Sequence, residues 1–281
     1  DAETNEDIEY SAKVIFCNAS TLSSTQILLN SKSERFENGL GNDSGELGHN
    51  LMDHTYRVGA MGKVEGFDDK YYKGRRPNGI YIPRYWNINT ETKNDKFLRG
   101  FGYQGAGFRG GNAANIEDFG ANYKDSILEP GPWEFFITGF AECLPYHDNQ
   151  VSLNDTVLDK WGQPTLAIDA EFKANEKAAN KQIQEDAVEM LQKSGLKDVI
   201  GFDNEHPPGY GVHEMGTARM GRDPKTSVLN GFNQVHTAKN VFVTDGACMT
   251  SSSCVNPSLT YMAITARAAN YAVSELKKMN L

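Results

Sequence analysis

Apolar and polar positions follow three different styles along this chain. Residues 10–18, Tyr-Ser-Ala-Lys-Val-Ile-Phe-Cys-Asn, concentrate apolar and β-branched side chains and end in small ones, which predicts a buried strand. Thr25-Gln-Ile-Leu-Leu29 predicts a short helix running away from it, so the opening reads strand, turn, helix, as in an α/β layer. A turn cluster at residues 38–44 follows, and Leu51-Met-Asp-His54 leads out of it. From about residue 55 the style changes. Short segments rich in aromatic and β-branched residues (57–66, 79–88, 96–108, 133–145 and 165–172) are separated by Gly, Pro and Asn clusters, which predicts an antiparallel sheet carrying loops. Residues 174–191 contain strong helix formers with Ile183, Ala187, Met190 and Leu191 in helical rhythm, a surface helix. Asn240-Val-Phe-Val-Thr-Asp245 then restores the first style as a buried strand closed by Gly246. The expected class is α/β, α+β overall. One domain occupies residues 1–54, is interrupted by an antiparallel-sheet domain over 55–210, and resumes over 211–281.

The last helix has the clearest periodicity. Leu259, Met262, Ala266, Ala269, Val273 and Leu276 recur every three or four residues and predict one apolar stripe. Asn256 is a suitable N-cap and Pro257 suits the first helical position. Lys277 and Lys278 complement the negative end of the helix dipole.

Composition narrows the function classes. A formal charge of -9 over 281 residues disfavours a nucleic-acid surface, which needs clustered Lys and Arg. No apolar run approaches the roughly 20 residues that span a bilayer. The opening Asp1-Ala-Glu-Thr-Asn-Glu6 has no basic region, apolar core or initiator Met, so the chain is expected to be part of something longer. Cys17, Cys143, Cys248 and Cys254 are scattered, fit free thiols about as well as disulfides, and leave the compartment open.

The candidate chemistry lies near the C-terminus. His213-Glu-Met-Gly-Thr-Ala-Arg-Met-Gly221 supplies an imidazole that titrates near neutrality, the natural general base for an alcohol. Val255-Asn-Pro-Ser-Leu-Thr260 places the Asn256 carboxamide at a helix start, where unpaired N–H groups favour negative charge. Asp245-Gly246 ends a strand in a tight turn, and the missing Cβ of Gly246 would let backbone approach a cofactor closely. On the residues alone two accounts stand: a base with its amide partner, or a loop histidine and a helix cap. No Gly-x-Gly-x-x-Gly loop follows a strand, so the usual seat of a dinucleotide pyrophosphate is missing. His49 and His54 flank Asn50-Leu-Met-Asp53 at loose spacing, which favours turn packing over a metal site. For a substrate, Glu142 and Gln150 border the loop 143–149. Tyr81, Tyr85, Trp86, Phe101, Tyr103, Trp133, Phe135 and Phe136 offer faces on which sugar rings stack, although at least half of them are expected in the sheet core.

The blocks His213-Glu-Met-Gly-Thr-Ala-Arg-Met-Gly-Arg-Asp-Pro224, Asn240-Val-Phe-Val-Thr-Asp-Gly246 and Val255-Asn-Pro-Ser-Leu-Thr260 resemble the C-terminal signature of the glucose–methanol–choline (GMC) oxidoreductases. Val14-Ile-Phe-Cys-Asn-Ala-Ser20, Asn38-Gly-Leu-Gly-Asn42 and Gly48-His-Asn-Leu-Met-Asp-His54 resemble the middle of that family. Within it the chain is most similar to glucoside 3-dehydrogenases and pyranose oxidases. The resemblance implies part of an FAD-binding, Rossmann-like domain interrupted by a substrate domain, with the N-terminal half of the same enzyme as a partner. It implies FAD as cofactor, with Asp245, Gly246, Asn256, Pro257, Ser258, Ala19 and Ser20 as its contacts. The pair Ala19-Ser20 departs from the family's Ala-Gly. It also implies that His213 takes a hydroxyl proton beside Asn256 while a hydride passes to flavin N5. The expected reaction converts a secondary hydroxyl of a sugar or glycoside to a ketone, and an external acceptor then empties the flavin. The alternatives are an inactive substrate-domain fragment, or a member acting on choline, a sterol or a simple alcohol.

Overall fold

The computed structural model describes residues 1, 3–69, 79–111, 119–128 and 130–281. In chain order the elements are β1 (Ile15–Cys17), α1 (Thr21–Asn30), β2 (Val58–Val64), β3 (Gly79–Ile82), β4 (Phe101–Gly111), α2 (Gly120–Leu128), β5 (Pro130–Ala141), β6 (Gln150–Leu158), β7 (Pro164–Asp169), α3 (Ala174–Lys193), β8 (Lys197–Asp203), β9 (Gln234–Val235), β10 (Ala238–Val243) and α4 (Ser258–Lys277). The chain divides into two compact units. One comprises Asp1–His54, Glu142–Phe172 and Pro207–Leu281; the other comprises Thr55–Ala141 and Lys173–His206.

The first unit is built on a three-stranded sheet in the order β1-β10-β9, with β1 parallel to β10 and β9 antiparallel to it. Leu28 and Leu29 of α1 pack with Val228, Leu229, Val235, Val243, Ala247 and Cys248 into its main core. The strand at 240–245 is buried as expected, Phe242 and Val243 being fully enclosed. The opening strand is not. It is only three residues long, and Ile15 and Phe16 are 45% and 36% exposed, because β1 is the edge of the sheet. The segment 142–172, assigned from its pattern to the inserted domain, belongs to the first unit, where β6 and β7 form a two-stranded ladder packed on α1.

Helix α4 forms where expected, but a different face is buried. Ala268 and Ala272 are enclosed against Phe242, while Leu259, Met262 and Val273 are 77%, 67% and 51% exposed. Two apolar stripes interleave on this helix. The one with small residues lets the axis come close to the sheet, and its larger flanking residue Tyr271 stacks on Phe232 with centroids 4.2 Å apart.

The second unit carries a five-stranded antiparallel sheet in the order β3-β4-β5-β2-β8. Helix α3 lies across β2, β5 and β8 and buries Ala179, Ile183, Ala187 and Leu191 against Val58, Ala60, Phe101, Tyr103 and Ile137. Gly139 of β5 permits that approach, since a Cβ there would stand 2.4 Å from Ile183 Cγ2. Four of the aromatic residues considered for sugar stacking are committed to this core. Phe101 and Tyr103 are fully buried, and the Tyr85 hydroxyl and Trp86 indole N–H both donate to Asp186 of α3 at 2.7 Å. Among the described residues no helix is long and apolar enough to cross a membrane.

Candidate active site

The site lies in the first unit and begins with an antiparallel pairing outside the regular strands. Met52 and Met215 exchange both backbone hydrogen bonds at 2.9 Å. That register brings residue 54 opposite residue 213, and side chains two residues apart share a face. The His54 and His213 rings meet there, with Nδ1 to Nδ1 at 2.9 Å and an interplanar angle of 76°.

Asp53 organises the turn around them. It is fully buried, and its Oδ1 accepts the N–H groups of His54 (2.7 Å) and His213 (3.1 Å). Its Oδ2 accepts those of Gly209 (2.7 Å) and Gly211 (3.0 Å). A carboxylate holding four backbone donors fixes the path of residues 209–213. Gly211 is required, because a Cβ would come within 2.6 Å of Asp53 Oδ1 and 2.5 Å of the His54 carbonyl. Val212 is held at φ 53, a left-handed backbone that a β-branched residue adopts only under constraint. The constraint is visible in the Asp53 bonds on both sides of it.

His213 is half-buried, and its Nε2 faces the exposed Asn256 carboxamide, Nδ2 at 3.5 Å. Asn256 is therefore not the helix cap expected of it. Pro257 occupies the cap position, α4 starts at Ser258, and the amide turns to the imidazole instead. Burial holds the His213 pKa below its usual value, partly offset by the Asp53 charge. His54 is enclosed, and burial, followed by the neighbouring imidazole, lowers its pKa to about 4. Burial also raises the Glu214 pKa.

The proposed cofactor contacts fall at the adjoining edge. Strands β1 and β10 are parallel, so Ala19-Ser20 and Thr244-Asp245-Gly246 leave the sheet at the same end, the side on which α/β sheets bind ligands. Asn18 Oδ1 accepts from Thr244 N at 2.9 Å, and the Thr21 hydroxyl donates to the Glu214 carbonyl at 2.5 Å. These bonds tie that edge to the residue after His213. Ala19, Ser20, Asn256 and Ser258 are exposed, whereas Gly246 and Pro257 are buried. Asp245 accepts from the Ser24 hydroxyl at 2.5 Å and from Ala247 N at 3.0 Å, which braces β10 against α1. Burial raises its pKa. The space before Gly246 is filled by the chain itself. A Cβ would meet Thr21 Oγ1 at 2.3 Å, the Glu214 carbonyl at 2.4 Å and the Tyr261 hydroxyl at 2.8 Å. The glycine accordingly serves packing, not the close approach of a ligand along that direction.

The two substrate candidates separate. Glu142 pairs with His54 through the backbone and lies beside the site. Gln150 pairs with His49 and lines a different surface pocket with Asn38, Asp43 and Leu153. No disulfide joins any of the four cysteines among the described residues. Among the described residues no group of three or more His, Cys, Asp or Glu is arranged to hold a metal.

His54 and Asp53 carry far more of this geometry than the sequence reading gave them. A signal existed: Met52-Asp-His54 and His213-Glu-Met215 are mirror-ordered, as an antiparallel pair requires to match Met with Met and His with His.

The chain is similar in sequence and fold to known proteins. Residues 145–265 match the GMC oxidoreductase family. The chain is 29% identical to 2-methyl-1,2-propanediol dehydrogenase of Mycolicibacterium austroafricanum over 96% of its own length and 50% of the relative's. It is 23% identical to the fructose dehydrogenase large subunit of Gluconobacter japonicus over 95% and 48%. Its fold matches that of a formate oxidase of Aspergillus oryzae with a TM-score of 0.59 at 16% identity, covering 93% of this chain and 54% of that one. The chain thus spans about half the length of the curated relatives it matches. The stretch 145–265, somewhat under half of the chain, is thus what carries the likeness to the GMC oxidoreductases.

Proposed function

We propose that this chain supplies the proton-handling part of an enzyme centre that oxidises the secondary hydroxyl of a sugar or glycoside to a ketone. FAD is the cofactor of the family and, when bound, supplies the two-electron acceptor for the alcohol carbon. The exposed Ala19, Ser20, Asn256 and Ser258 would hold it, supported from behind by Asp245, Gly246 and Pro257. The His213 imidazole takes the hydroxyl proton through Nε2. Asn256 donates an amide N–H to the same oxygen as negative charge gathers on it, the kind of stabilisation a preorganised donor gives. The observation that carries this reading is the approach of His213 Nε2 and Asn256 Nδ2 to 3.5 Å at an open face of the unit. Glu142, whose backbone pairs with that of His54, would steer a second hydroxyl.

The relatives' names divide between a small diol and a sugar, so the substrate class is tested directly. A panel of sugars, glycosides and short diols is given to the full-length enzyme with an artificial electron acceptor. Sugars are expected to give the highest kcat/KM; a preference for short diols overturns the sugar assignment and leaves the base intact. His213→Ala is expected to slow flavin reduction by about 10²–10⁴-fold, the usual contribution of a positioned base. An undiminished rate removes His213 from the role.

A further inference from the structure

We propose that His54 is a positioning residue that fixes the tautomer of His213, so that Nε2 and not Nδ1 carries the free lone pair. The inference rests on the reading of His213 as the base.

Two imidazoles facing each other through Nδ1 atoms at 2.9 Å hold one proton between them when both are neutral. There are two ways to place it. If His54 donates, its Nε2 is bare and His213 carries its proton on Nε2, pointing it at Asn256. If His213 donates from Nδ1, its Nε2 is bare and His54 carries its proton on Nε2. Two neighbours distinguish these states. The Asn256 Nδ2 group faces His213 Nε2, and a donor opposite that nitrogen requires a lone pair there. The Ser253 backbone acts against the fall in the His54 pKa, the sense expected of an acceptor near a ring N–H. The Asn256 contact selects the second state, and the direction of the Ser253 effect agrees with it. The proton bound to one ring nitrogen is set by the hydrogen bond the other makes, and here the acceptor is a second histidine instead of a carboxylate.

The surroundings keep His54 in the accepting form. It is 1% exposed, and protonating it would place two ring N–H groups against each other and a second charge beside the site. The charged and titratable groups about the pair include Asp53, whose Oδ1 binds the backbone N–H of both histidines, Glu214, which follows His213, and Glu142, whose backbone pairs with that of His54. Asp53 spends its bonds on the backbone, so it positions the histidines without taking the ring proton. When His213 accepts a proton at Nε2, its Nδ1–H bond to His54 becomes charge-assisted, and the cation is held where it forms.

The test uses the full-length flavoprotein with ¹⁵N-labelled histidine. At neutral pH the His213 resonances are expected to show a protonated Nδ1 and a bare Nε2; the reverse pattern overturns the proposal. Two variants follow. His54→Asn keeps an acceptor oxygen near the Nδ1 position and is expected to retain the tautomer and most of kcat. His54→Leu removes the acceptor, and is expected to mix the tautomers and lower kcat by about 10–100-fold, the range seen for partners that orient a working histidine, with KM unchanged. Flavin absorbance and the melting temperature report folding separately. Should His54→Leu keep wild-type kcat while His213→Ala is inactive, the tautomer role fails and the base stands. Activity in His213→Ala removes both.

Discussion

Burying an imidazole in its neutral form makes stability depend on pH, and His54 is the residue at which the shift is large. Its folded pKa lies near 4 against 6.5 in the unfolded chain, chiefly through burial. Between those values the unfolded state binds a proton that the folded state refuses. The stability associated with neutral His54 is therefore complete above pH 6.5, falls as pH drops, and is fully lost below about pH 4. The loss integrates to about 3 kcal/mol. Denaturant unfolding of the full-length protein at pH 7 and pH 4.5 is expected to show a smaller pH effect in His54→Asn than in wild type; equal effects contradict the assignment. Asp53 matters in another way. Replacing it by Ala leaves the backbone N–H groups of His54, Gly209, Gly211 and His213 without their acceptor, at a cost of about 3 kcal/mol or more. Thermal unfolding checks this, and a melting temperature unchanged in Asp53→Ala would show that the turn is held by something else.

At the scale of elements, the contact between Gly139 of β5 and Ile183 of α3 sets how closely that helix lies on its sheet. Gly139→Ala is expected to force the Ile183 side chain or the helix to move, at about 1–3 kcal/mol. Ile183→Ala is expected to cost about 2–5 kcal/mol by leaving a cavity. Chemical unfolding measures both, and additive effects in the double variant would argue against the two side chains sharing one contact. Helix α3 was legible because its apolar positions form a single stripe. In α4 two stripes share one helix, and periodicity does not say which one meets Phe242; the choice is made by Ala268 and Ala272, which are small. Strand β8, Lys197–Asp203, escaped notice because charged residues close both its ends. The site was half legible. His213 and Asn256 stand out by chemistry, but His54 is 159 residues from His213 and acts only through a register that no local pattern states.

For the whole molecule, what matters is that the cluster to which we assign proton handling is assembled inside one compact unit from three distant pieces of chain. Residues 52–54, 209–213 and 252–256 converge on it. The same unit presents the parallel strand ends β1 and β10, where the exposed Ala19 and Ser20 lie. The Thr21 bond to the Glu214 carbonyl ties that edge to the residue after His213. The central claim is that neutral His213 accepts the substrate proton. The pH dependence of anaerobic flavin reduction by a sugar substrate, followed in the full-length enzyme, tests it most directly. The rate is expected to rise with pH through one ionisation below 6.5, because burial lowers the His213 pKa, and that limb is expected to vanish in His213→Gln. A wild-type profile that stays flat from pH 4 to 8, or an acid limb that persists in His213→Gln, contradicts it.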